Sequence, residues 1–142
     1  MPLKSFGSIL TFAEEIEVQD RAFYSEAAQN HECTDILALT EQFFNECKKN
    51  IAIIQRTRRE NVTEMILEPI SDFVRAPFCI EKQNAKKMNA AKVLEFTKII
   101  EQRSLNYYTQ SSAKMKALPE VSNVLKLLEK KHAARLRKID NI

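Results

Sequence analysis

The sequence predicts an all-α fold, an antiparallel four-helix bundle with a long crossover between the second and third helices. Three observations predict it. The 142 residues include one glycine, four prolines and no tryptophan, too few turn formers for a β-sandwich. Ala, Leu, Glu, Lys, Gln and Arg are abundant, as helices prefer. Apolar residues recur at steps of three and four over four long stretches, the period of a helix with one buried face. A chain of this length forms one domain, 1–142, able to bury a real core.

The first helix is expected from Ser5 or Ser8 to Gln29, with Phe6, Ile9, Leu10, Ala13, Ile16, Phe23 and Ala27 on its apolar side. "NHECT" interrupts it, and Thr34 is placed as the N-cap of a second helix reaching Glu60. The stripe Ile36, Leu39, Phe43, Ile53 carries Glu46, with Lys49 or Asn50 one turn on. The third helix is expected over Asn89–Lys114. "ALPE" ends it, and Pro119 opens the fourth, which runs to Asp140. Helices of about 25 residues span ~37 Å, the length of a four-helix bundle rather than a globin. The links at 30–33 and 115–118 are short. Residues 61–88 form a long connection, read as carrying the chain to the end where helix 1 begins. Phe73, Val74, Phe78 and Ile80 are expected to pack it down, with a short helix near Ile70–Val74.

The formal charge of +3 is mild. The clusters Arg56, Arg58, Arg59 and Lys130, Lys131, Arg135, Arg137, Lys138 read as solvated faces near helix C-termini. Neither nucleic acid nor membrane is expected as a partner, because interleaved aromatics and a strongly basic helix face are missing. Cys33, Cys47 and Cys79 make no CxxC pair, which favours a reducing, cytoplasmic setting over a disulfide framework. No run approaches membrane-spanning length, and the N-terminus lacks a signal peptide's apolar core.

A weak internal repeat carries the chemistry. "IEVQDRAFY" at 16–24 aligns with "IEQRSLNYY" at 100–108, pairing Glu17 with Glu101 and Tyr24 with Tyr108. "NECKK" at 45–49 aligns with "LEKKH" at 128–132, pairing Glu46 with Glu129 and Lys49 with His132. Helix periodicity aligns Ala13, Glu17, Asp20, Tyr24 and Ala27. It does the same for Leu94, Thr97, Glu101, Ser104 and Tyr108, and for Leu125, Glu129, His132 and Leu136. Four inward glutamates would repel unless cations or protons neutralise them. A pair of divalent metals is the simplest neutraliser.

With these four motifs in order, the chain resembles the rubrerythrin branch of the ferritin-like di-iron carboxylate superfamily over its whole length. In that arrangement two helices give one Glu each and two give Glu-x-x-His. The resemblance implies metal ligands Glu17, Glu46, Glu101, Glu129 and His132, with Tyr24 and Tyr108 bonded to glutamates across the bundle. It also implies a homodimer and one or two iron or manganese ions. Two bound metals would imply a peroxidase or ferroxidase, an oxidoreductase acting on peroxide, dioxygen or ferrous iron. No catalytic residue is assigned, and the electron donor is unspecified.

The departures make the metal set incomplete. Lys49 stands where the first Glu-x-x-His needs its histidine, and Ser104 where an extra glutamate often sits; Asp20 is a partial substitute. Three readings of Lys49 stay open. Its ammonium replaces one metal; or it turns to solvent while Asn50 or water fills the gap; or it pairs with glutamates in a metal-free structural or protein-interaction bundle. His132 alone reads more readily as a satisfied core histidine than as a ligand, and only its company with Glu129 and the three other glutamates favours metal; Cys47 reads as a small core residue.

Overall fold

The computed structural model describes residues 3, 5–61, 70 and 72–141, with Phe6 by its backbone only. Four long helices dominate: α1 (Phe6–Ala28), α2 (Leu37–Glu60), α3 (Ala90–Lys114) and α4 (Pro119–Asp140). No strand occurs among the described residues, and the chain is all-α.

The helix ends follow local chemistry. Ser5 caps α1 in a capping box with Ser8, satisfying donors that the first turn leaves open. Asn89 caps α3 by accepting from the Lys92 N–H. Pro119 opens α4 with no side-chain cap. Thr34 is not the cap of α2, contrary to expectation. Residues His31–Ile36 form a 3-10 segment first, kinked at Cys33. Asn30 caps that segment through Glu32 N–H and donates to the Ala85 and Met88 carbonyls. This anchor to the crossover delays α2 until Leu37.

Helix α1 packs along α2, and α3 along α4. Contacts run in opposite order along each pair: Glu17 meets Asn50 and Thr11 meets Arg58, while Glu101 meets Arg135 and Lys98 meets Asp140. Between α1 and α3 the order is also opposed, since Tyr107 reaches the Ile9 carbonyl and Tyr24 reaches Glu101. Helix α3 therefore starts at the level where α1 ends. The sequence reading that it starts where α1 starts is corrected by these pairs.

The crossover is held down by Phe73 and Phe78, which pack with Tyr107, and by Leu3 N–H donating to the Phe73 carbonyl. Ile80 is half-buried, but Val74 is 47% exposed and does not join the core. The described residues around 70–74 are not helical. A 3-10 turn lies later, at Ala76–Phe78, after Asp72 with φ 57°. Residues 62–69 and Ser71 lie outside the described residues, as does the Phe6 side chain expected in the core. The other α1 residues expected on the apolar side are all buried.

Candidate functional site

The buried face of α2 is rotated by one residue from the apolar stripe. It runs Thr40, Phe43, Cys47, Asn50, Ile51, Ile54, Thr57. Four of these residues are not large apolar side chains, so hydropathy alone misplaces the face. Glu46 consequently sits at its edge, with its side chain 28% exposed. Lys49 points to solvent and Asn50 is fully buried. Asn50 donates to Glu17 Oε1 at 3.2 Å and faces the Lys131 ammonium at 3.4 Å.

The buried residues of α4 are Val121, Ser122, Leu125, Leu128, His132, Arg135 and Ile139. Glu129 and Leu136, expected inward, are half-buried beside them. No hydrogen bond or ion pair involves Glu129 among the described residues. Arg135, expected on a solvated face, is instead 1% exposed. Its guanidinium lies 5.4 Å from the Phe43 ring centroid, a cation–π arrangement that desolvation strengthens.

Glu17, Asp20 and Glu101 are buried at the centre, as their helical lines require. Each glutamate accepts from the tyrosine of the other repeat: Tyr24 donates to Glu101 Oε1 at 2.7 Å and Tyr108 to Glu17 Oε1 at 3.1 Å. His132 lies between the two carboxylates. Its Nε2 is 2.8 Å from Glu17 Oε1, its Nδ1 contacts Glu101 Oε2, and its ring stacks on Tyr108. Glu101 Oε1 also accepts from Arg135 Nη1 at 2.9 Å, and Arg135 Nε pairs with Glu46 Oε1 at 3.2 Å. One turn along α1, Asp20 pairs with Arg103 at 2.6 Å and accepts from Ser104. Arg103 Nη1 continues to the Phe78 carbonyl, so the crossover is latched to the same network.

The electrostatics follow from burial set against these partners. Burial alone would raise the Glu101 carboxyl, but His132 and Arg135 outweigh it and hold the group at about 2. Glu17 is likewise pushed up by burial and brought below its ordinary value by His132, then Arg135. Burial disfavours the imidazolium of His132, yet Glu101 and Glu17 raise it to about 9. Asp20 rises to about 7, because burial exceeds the help from Arg103 and the neighbouring carboxylates add to it. Burial pushes the Cys47 thiol well up, which suits an inert core residue.

Of the five ligands implied by resemblance, Glu17, Glu101 and His132 meet directly. Glu46 joins through Arg135, and Glu129 stays apart. Asp20, Tyr24, Asn50 and Tyr108 all belong to the network, whereas Lys49 does not. Sequence reasoning missed Arg103 and Arg135. The available signal was positional: Arg135 follows His132 by three on the same helix face, and Arg103 adjoins Ser104, the counterpart of Asp20 in the repeat.

The donor set does not fit a di-metal centre. Both ring nitrogens of His132 face carboxylates, and a guanidinium stands between Glu101 and Glu46. Among the described residues no group of three or more His, Cys, Asp or Glu side chains is arranged to hold a metal ion. No helix among them is long and apolar enough to cross a membrane. No family model, curated protein or solved structure matches the chain significantly.

Proposed function

We propose that this chain is a ferritin-like antiparallel four-helix bundle that serves as a metal-free structural or protein-interaction module. The observation that carries the reading is the identity of the cations beside the buried carboxylates. They are His132, Arg135 and Arg103, all supplied by the protein itself. The carboxylates that would otherwise demand metal are already neutralised and hydrogen-bonded, as buried charges must be.

The opposite reading is an iron or manganese oxidoreductase acting on peroxide, dioxygen or ferrous iron. It draws on the motif order and on the tyrosine–glutamate pairs. It has less support, because the Arg135 guanidinium is buried between Glu101 and Glu46, two of the carboxylates that a second metal would need.

Anaerobic equilibrium dialysis against ferrous iron, and separately against Mn²⁺, tests the choice. The expected result is below ~0.2 metal per chain, with a melting midpoint unmoved by chelator. Binding of one or more equivalents overturns the metal-free reading. For the interaction role, sedimentation tests self-association. Ile99 and Leu127, 51% and 46% exposed, are the apolar residues to replace if a dimer is found.

A further inference from the structure

We propose that the Arg135 guanidinium fills a latent divalent-cation site, so that this one side chain decides whether the bundle is metal-free. The inference rests on the metal-free reading above and deepens it.

Glu101 behaves as a bridging carboxylate. Its Oε2 faces His132 while its Oε1 faces Arg135, so one carboxylate is shared between two neighbouring cations. Arg135 then reaches Glu46 with Nε, joining α4 to α3 and α2. Three acidic side chains, Glu17, Glu46 and Glu101, therefore surround two protein cations. Removing the guanidinium leaves three negative charges against one imidazolium, an imbalance that oxygen-rich sites correct with a divalent ion.

The guanidinium is an imperfect occupant. An arginine fork binds best to one carboxylate through two parallel bonds. Here Nε and Nη1 go to different carboxylates, and Nη2 is buried without a partner. Glu17 Oε2, in the same cluster, is also buried and unpartnered. An unused donor and an unused acceptor remain where a spherical ion with adjustable coordination would leave neither. Arg135 meets the charge requirement of the site better than its geometry.

The test compares wild type with Arg135→Ala and Arg135→Gln, with Mn²⁺ and anaerobic ferrous iron as probes. Metal per chain is counted after dialysis, and melting midpoints are read with and without metal. The expected result is no binding by wild type and about one equivalent by each variant. The variants' midpoints should rise by ~5 °C or more at saturating metal, with no rise in wild type. Arg135→Lys keeps a cation and should bind no metal. A variant that stays helical by circular dichroism yet binds nothing overturns the proposal. If the variants unfold without metal, they are refolded with Mn²⁺ present; failure of both Ala and Gln to recover helicity and bind also overturns it. Binding by wild type refutes instead the metal-free reading, so the two failures are distinguishable.

Discussion

Arg135 and Glu101 form an ion pair across α3 and α4, Nη1 to Oε1 at 2.9 Å, with both side chains no more than 1% exposed. The pair is one arm of a network that also holds His132, Glu17 and Glu46. Its physical consequence is that no member can be removed without leaving an opposite charge in the core.

Replacing Arg135 by methionine, which fills similar space without charge, should cost about 3–5 kcal/mol in metal-free buffer. Chemical denaturation measures this directly. A loss below about 1 kcal/mol would show that the pair is not desolvated as described. Replacing the exposed Lys49 by alanine should change stability by no more than about 0.5 kcal/mol.

Stability should depend on pH through three groups. Glu101, lowered from 4.5 to about 2, gives stability that is complete above 4.5 and lost as pH falls through 2. His132, raised from 6.5 to about 9, gives stability complete below 6.5 and lost as pH rises through 9. Asp20, raised from 3.8 to about 7, behaves like His132 between those two values. The melting midpoint should therefore be highest near pH 4, where the Glu101 contribution is nearly complete and the Asp20 loss has barely begun, and fall steadily from there to pH 9. His132→Gln should flatten the fall above 6.5, and Asp20→Asn the fall below 7. A midpoint that climbs from pH 5 to pH 9 contradicts the assignment.

The two tyrosine bonds should be unequal. Tyr24→Phe removes a 2.7 Å bond to Glu101 and Tyr108→Phe a 3.1 Å bond to Glu17. Hydrogen bonds to charged groups contribute about 1.5–3 kcal/mol, so Tyr24→Phe should fall in the upper part of that range and Tyr108→Phe in the lower. The double variant should be non-additive, because both glutamates share His132. Additive losses in urea titrations would show two independent bonds.

Histidine scanning at positions 49 and 50 checks the rotation of α2. Lys49→His is expected to leave metal content and melting unchanged, because the position faces solvent. Asn50→His places an imidazole at a fully buried position beside Glu17 and should lower the melting midpoint by several degrees through overpacking. A reversed outcome would place Lys49, not Asn50, on the inner face.

The sequence by itself determined the four helices, their ends to within a few residues except at Thr34, and the inward lines of α1 and α3. Those lines keep strict helical spacing and run beside large buried apolar residues such as Ile9, Ile16, Phe23, Val93 and Ile100, so periodicity finds them. Glu17, Asp20, Tyr24, Glu101, Ser104 and Tyr108 were legible for that reason. On α4 periodicity placed Leu125 and His132 inward correctly but missed Arg135, and on α2 it misplaced the face, where Thr40, Cys47, Asn50 and Thr57 make up much of what is buried. A buried arginine and a solvated one look alike in a sequence, since burial depends on partners that arrive from other helices. Only the tertiary structure decided that Lys49 turns away, that Asn50 takes the inner position, and that Arg135 reaches Glu101 and Glu46. The reason is electrostatic: a guanidinium is kept in a low-dielectric interior only when carboxylates from distant segments converge on it, and that convergence is a property of the packed helices.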